Sequence, residues 1–404
     1  CASASNTDKD DKDGDDKEKE KKKTDQDEEK KRLILRRTDN DVLMGQYQTM
    51  LESYDDAGPY MDVVMFKDNK TDSDGEYMAV IDLTADGNLT ESIPFAPFAK
   101  SRQLGEFGFG SAVTFCIQVY DEGKTLSIVT DAGSHGTHVA GITAANFGAD
   151  DPKNGVAPGA QILACKIGDG RIGSAETGTG LVRALIASKK YNCDLINLSY
   201  GEPSWQPDSG RVSEVFADAT RKWGMTVFTS AGNDGPALSS LGSPGALSSP
   251  ITVGAYVSKD MMIDQYSTLK APIEDGEQDL RDTSYYFSSR GPTPDGLLPD
   301  LCAPGGAISP IPRHSLQGKA QYHGTSMSSP NACGVAACVL SAVKQKLGVD
   351  HISPAELRKG LLNTAASVDI SDPFAQGAGL ISATAAVDYI LEHRGKLCQD
   401  LTVD

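Results

Sequence analysis

The pattern of hydrophobic and polar positions changes character twice along the chain. Residues 1 to about 32 are mostly Asp, Glu and Lys with Ser and Thr, and they hold almost no side chain that a core could use. Such a segment cannot offset its ordering entropy, so it is expected to be disordered apart from a transient salt-bridged helix over Lys17 to Lys31. From 33 to 130 short alternating runs predict strands. Met61 to Phe66 and Tyr77 to Asp82 flank a turn region holding Asn69, Asp74 and Gly75, and Ala112 to Tyr120 and Thr125 to Thr130 flank a hairpin turn at Asp121 to Lys124.

From about 135 onward apolar strand runs alternate with helical patterns. Strands are predicted at Gln161 to Ile167, Asp194 to Tyr200, Met225 to Ser230 and Ile251 to Val257. Helices are predicted at His135, over Thr177 to Tyr191, over Ser209 to Trp223, at Ser326 and over Pro354 to Ala365. This alternation is that of an α/β fold, a parallel sheet with helices on both faces, preceded by a β-rich region. The polar, acidic stretch between 259 and 285 reads as an inserted loop.

Composition narrows the function classes. A chain of 404 residues can bury a substantial core. Its formal net charge of −18 argues against a nucleic-acid backbone or an anionic membrane as partner, and suits peptides with a free amino terminus. The 8 cysteines, from Cys1 to Cys398, include no Cys-x-x-Cys pair, so reduced thiols in a cytoplasmic setting are expected, with no metal and no cofactor. No run of 18 or more apolar residues and no signal-peptide core occurs, although a chain that opens on Cys1 says little about a leader.

Three motifs carry chemistry. Gly324-Thr325-Ser326-Met327-Ser328-Ser329-Pro330 sets a serine at a helix N-terminus, where free N–H groups favour negative charge. Ser326 there is either a helix cap or a nucleophile. Ser134-His135-Gly136-Thr137-His138 supplies the general base a hydroxyl needs to attack a carbonyl at neutral pH. Thr229-Ser230-Ala231-Gly232-Asn233-Asp234-Gly235 reads as a strand ending in a tight turn that presents an amide.

In this order the three motifs resemble the subtilisin-like serine peptidases. The resemblance implies that His135 is the base, Ser326 the nucleophile and Asn233 the side-chain donor of the oxyanion hole, with His138 a structural neighbour. The family also has an Asp ahead of the histidine, on a strand ending Asp-Thr-Gly or Asp-Ser-Gly. No such triplet precedes His135, and Asp208-Ser209-Gly210 falls after it and reads as a helix cap. Asp82 ends a strand pattern but lacks the glycine turn, so it reads as a strand or turn residue. The expected source of the acid is therefore upstream of Cys1.

The segments Asp169 to Leu181 and Asn197 to Ser204 further resemble the tripeptidyl-peptidase II family. That family carries a long insertion between the Asp and the His, which implies the division 1–32 charged segment, 33–130 β-rich insertion, 131–395 peptidase core and 396–404 start of a further region. It implies an exopeptidase that releases tripeptides from oligopeptide substrates with a free N-terminus, and a homo-oligomer at full length. Ser199, Tyr200 and Gly201 would pair with the extended substrate, while Glu176 and Glu202 would hold its α-ammonium. Considered alone, Glu176 also reads as a first-turn acid and Glu202 as a loop-surface charge. The competing readings are a subtilisin-type endopeptidase, a catalytically impaired assembly or decoy chain, and, weakest, a metallopeptidase using His135 and His138 without a His-Glu-x-x-His motif.

Overall fold

The computed structural model describes residues 44–45, 60–68, 75–108, 112–131, 133–169, 175–203, 206–265, 281–315, 317–368 and 371–394. The expectations for 1–32 and 396–404 lie outside the described residues. The chain divides into two compact units, residues 1–103 with 117–127 and residues 104–116 with 128–404.

In the first unit β1 (Val63–Asp68) pairs antiparallel with β2 (Glu76–Ile81), from Val63↔Ile81 to Asp68↔Glu76. Ala79 and Ile81 of β2 are buried, and Phe95 exchanges both backbone hydrogen bonds with Ala79. A four-residue helix follows, α1 (Phe98–Ser101). A further three-stranded sheet has the order β3 (Gly105–Glu106), β4 (Thr114–Tyr120), β5 (Thr125–Thr130). The predicted turn between β4 and β5 is a 3-10 turn at Asp121–Gly123. Gly123 is required there, because a Cβ would lie 2.2 Å from the Tyr77 ring and its φ is +86°. Asp82 follows β2 directly, and its carboxylate accepts from the Gly87 N–H at 2.8 Å and the Thr84 hydroxyl at 3.1 Å. The Gly87 bond holds its pKa below the ordinary carboxylate value, so Asp82 closes its own turn, as a turn residue should.

From residue 133 the second unit continues with α2 (His135–Ala144), the antiparallel pair β6 (Gly168–Asp169) and β7 (Ala175–Glu176), and α3 (Gly178–Lys190). Then come β8 (Leu195–Leu198), α4 (Gly210–Arg221), β9 (Thr226–Ser230), β10 (Ile251–Val257), α5 (Lys259–Gln265) and β11 (Thr283–Ser284). The unit closes with β12 (Leu301–Pro304), β13 (Gly306–Pro310), β14 (Lys319–His323), α6 (Thr325–Leu347), α7 (Pro354–Asn363), α8 (Pro373–Gln376) and α9 (Ala383–His393).

Strands β8, β9, β10 and β12 are parallel neighbours in that order. Every residue of β9 and β10 is buried, which is what a parallel strand covered on both faces requires. Val227 packs with Leu181, Leu185 and Phe216 of α3 and α4. Its neighbour Phe228 packs on the opposite face with Ala332, Ala336 and Val339 of α6 and with Leu357 and Ile390. α6 is long and apolar enough to cross a membrane, but 61% of its most apolar window is buried inside the protein, as befits the central helix of a core.

The expected α/β sheet is present, its parallel strands joined by one short antiparallel strand, β11, on β10. The structure corrects three expectations. The stretch 259–285, read as an inserted loop, contains α5 and β11, with 266–280 outside the described residues. Gln161 to Ile167 belongs to no strand, and Ile162 and Leu163 are 51% and 39% exposed. β8 is the edge of the sheet, and among the described residues this run forms no ladder with it. Of Asp208-Ser209-Gly210, Ser209 stands at the N-cap of α4 but makes no side-chain cap bond, and Asp208 bonds elsewhere. It accepts from the Ser248 N–H, the Ser248 hydroxyl and the Ser213 hydroxyl. Desolvation pushes its pKa up, but these bonds, with the charge of Arg221, outweigh it and leave the pKa lowered.

Candidate active site

The residues singled out by motif fall at the ends of elements. β8 and β9 run parallel and finish on the same side, the edge at which α/β sheets carry their sites. Ser199 follows β8 directly, and Asn233 stands three residues beyond β9. Ser326 is the second residue of α6, after Gly324 at the N-cap in an extended conformation that any residue adopts.

The first turn of α6 is fastened by side chains from both strands. The Thr325 N–H and hydroxyl both donate to the Asn233 carbonyl oxygen, at 2.9 and 3.0 Å. The Thr325 hydroxyl also lies 3.1 Å from the Gly232 carbonyl and 3.2 Å from the Gly232 N–H. Gly232, at φ +107°, sits where a Cβ would come within 2.7 Å of the Ser289 hydroxyl. With its oxygen committed, Asn233 turns its NH₂ away from Thr325, and the residue is exposed. Of the amides at the start of the helix, Thr325 donates to Asn233 and Met327 to the Gly324 carbonyl, so the Ser326 N–H remains for a ligand.

Pro330 shapes the same turn. A proline there has no N–H to give the carbonyl four residues back, which is that of Ser326. The Ser199 hydroxyl takes that place and donates to the Ser326 carbonyl at 2.9 Å. Asn197 completes the brace, donating to Ser199 at 3.1 Å and accepting from the Ser329 hydroxyl at 2.6 Å. The Ser326 hydroxyl lies 3.4 Å from the Ser199 carbonyl.

His135 opens α2, which packs against α6. Its half-buried ring meets the Tyr200 ring edge-on, with centroids 6.4 Å apart. Tyr200 is the neighbour of Ser199, so the end of β8 touches both the histidine and the serine. Burial, with a smaller contribution from His138, lowers the His135 pKa and keeps the imidazole neutral. No carboxylate contributes to that shift, and among the described residues none is bonded to the ring. His138 is fully buried, and its Nε2 lies 3.0 Å from the Ala320 carbonyl, so it cannot share a metal with His135 without leaving the core.

Glu202 lies three residues beyond Ser199, fixed by a two-way backbone bridge to Ser243 at 2.8 Å in each direction. Glu176, the last residue of β7, precedes the α3 N-cap Thr177 and is therefore not a first-turn acid. One of its carboxylate oxygens is buried with no hydrogen-bond partner. Burial raises its pKa, and the charge of Glu202 raises it further, so the two acids share one locale. Tyr200 is half-buried and Gly201 exposed, which leaves the backbone between the two acids and Ser326 accessible.

A serine and an amide donor at one sheet edge, with a neutral histidine on an adjoining helix, define the class: an α/β serine peptidase of the subtilisin type. The chain belongs to the subtilase family, whose sequence profile matches residues 66–379. It is similar to tripeptidyl-peptidase 2 of Arabidopsis thaliana, 43% identical over 86% of this chain and 25% of that one. Tripeptidyl-peptidase 2 of Oryza sativa subsp. japonica is 44% identical over 88% and 26%. The crystal structure of tripeptidyl peptidase 2 superposes with a TM-score of 0.66 at 32% identity, covering 88% of this chain and 26% of that one. The chain thus spans about a quarter of the length of these relatives.

Proposed function

We propose that this chain carries the nucleophile, base, oxyanion hole and amino-terminus anchor of a peptidase that removes tripeptides from the free N-terminus of oligopeptides. Ser326 attacks the third peptide carbonyl while His135 takes its proton. The Asn233 NH₂ and the Ser326 N–H receive the oxyanion, and water then hydrolyses the acyl-enzyme. The carboxylate that would hold the His135 tautomer lies outside the described residues.

The observation that carries the exopeptidase reading is the buried, unpartnered oxygen of Glu176 beside Glu202. Two acids gathered with no cation beside them among the described residues favour an ammonium ligand, and their place beyond the end of β8 fits the start of a substrate laid along that strand. The names of the relatives agree with this reading. The test compares the full-length protein on tripeptide amides with free and with acetylated amino termini. Cleavage confined to the free-amino substrates supports the proposal, and equal cleavage of both makes the protein an endopeptidase.

A further inference from the structure

We propose that Tyr322 is a positioning residue that sets the separation of His135 from Ser326 through its hydrogen bond to Ser134; this rests on the reading of those two residues as base and nucleophile. Tyr322 lies on β14, four residues before Ser326, on the strand that runs through Gly324 directly into α6. Its hydroxyl is 2.6 Å from the hydroxyl of Ser134, the residue immediately before His135. Ser134 occupies the N-cap of α2, where a serine ordinarily turns its oxygen onto its own helix, yet it makes no such bond. Its hydroxyl is committed instead to the strand that delivers the nucleophile.

The remainder of β13 and β14 fastens the next turn of α2. The Tyr322 ring stacks on the buried ring of His138, with centroids 4.4 Å apart and planes 30° apart. His138 Nε2 meets the Ala320 carbonyl at 3.0 Å, and the Ser309 hydroxyl donates to the His138 carbonyl at 2.8 Å. Gly141 admits this approach, since a Cβ there would sit 2.2 Å from the Ser309 hydroxyl. The stack and these bonds hold the body of the helix. Among the described residues the Ser134–Tyr322 bond alone ties the residue next to the base to the approach of the nucleophile, so its loss loosens that one distance while the fold is kept. Proton transfer depends steeply on such placement, with a misplacement of 1 Å costing on the order of 100-fold in rate.

The experiment uses the full-length protein with Tyr322→Phe, Ser134→Ala, the double variant and Ser134→Thr. Each hydroxyl deletion is expected to lower kcat about 10-fold with KM within about twofold. The double variant should be no worse than either single variant, and Ser134→Thr should recover most of the rate. Thermal melts identify a variant that fails to fold, and Ser134→Ala carries the test if Tyr322→Phe does. Wild-type kcat in the single variants, losses that multiply in the double variant, or a change confined to KM each overturn the proposal, the last by making Tyr322 a substrate contact. His135→Ala and Ser326→Ala serve as controls. If they keep activity the base and nucleophile assignments fail, and if they lose it while the hydroxyl variants do not, only the Tyr322 proposal fails.

Discussion

Replacing Glu176 by Gln keeps its shape and removes its charge, which isolates what the acid contributes to substrate binding. One of its oxygens is buried and unpaired, so an incoming ammonium there forms a charge-assisted hydrogen bond shielded from water. A bond of that kind contributes about 1.5 to 3 kcal/mol, a rise in KM of roughly 10- to 140-fold when it is lost. Glu202 is exposed, and an exposed ion pair contributes at most about 1 kcal/mol, or about 5-fold. The expected order is therefore Glu176→Gln well above Glu202→Gln in KM, with kcat little changed, on free-amino tripeptide amides. The pH profile is a second and independent reading. Glu176 holds an ammonium only when deprotonated, and its pKa lies above the ordinary value, so affinity should increase as pH rises through that raised pKa. Affinity should fall again as the substrate α-amino group loses its proton near about pH 7.7 to 8.0. Glu202→Gln removes the smaller of the two effects that raise the Glu176 pKa, so the acid limb should move to lower pH. Both limbs should vanish on acetylated substrates. Steady-state kinetics across pH, with both substrates, makes the measurement, and losses of equal size on free and acetylated peptides would refute the reasoning.

Asn233→Ala should lower kcat about 10²- to 10³-fold with KM little changed, a magnitude that is itself the measured loss of an oxyanion donor in a subtilisin; an effect on KM alone would remove the residue from the oxyanion hole. Ser199→Ala leaves the Ser326 carbonyl without the donor that Pro330 cannot supply, and should destabilise the protein by about 1 to 3 kcal/mol while lowering kcat. Unaltered denaturation midpoint and rate would show that the brace is idle. Gly334→Val forces a side chain into Val156, where even a Cβ would come within 2.7 Å, and should cost about 1 to 3 kcal/mol by denaturant titration, with an unchanged midpoint counting against close packing of α6 there.

The site is legible in the sequence where its residues mark the ends of elements. A glycine before a serine and a small-residue run signals the start of α6, the histidine motif signals α2, and Ala-Gly-Asn after a β-branched run signals the turn beyond β9. The joint between elements is not legible. Tyr322 carries no motif of its own, and nothing in the pattern announces the hairpin that holds it, because Pro310 and Pro312 interrupt the alternation expected of a strand. The helix over Ala383–His393 is likewise absent from the sequence reading, although Ala386, Val387 and Ile390 share one face. Gln161 to Ile167 shows the opposite error. Its apolar run is that of a buried strand, but strand formation needs a neighbouring ladder, which a local pattern does not report.

The same distinction explains how the site is held. The side-chain bonds that fasten the first turn of α6 cross long stretches of sequence and are made by short side chains. Ser199 meets the Ser326 carbonyl across 127 residues and Asn233 the Thr325 amide across 92, and Ser134 reaches the Tyr322 hydroxyl on the preceding strand across 188. Short side chains have few rotamers to lose, so each bond fixes its partner at small entropic cost. They also have little reach, so each tolerates little displacement of the elements it joins. Pro330 makes the design self-consistent: by withholding one helical hydrogen bond it opens an acceptor on Ser326, and Ser199, just past the end of β8, fills it. Residues that read as ordinary small polar positions therefore control the geometry, and substitutions as mild as Ser to Ala or Tyr to Phe discriminate between a brace and a bystander better than removal of the nucleophile, which reports only that chemistry has stopped.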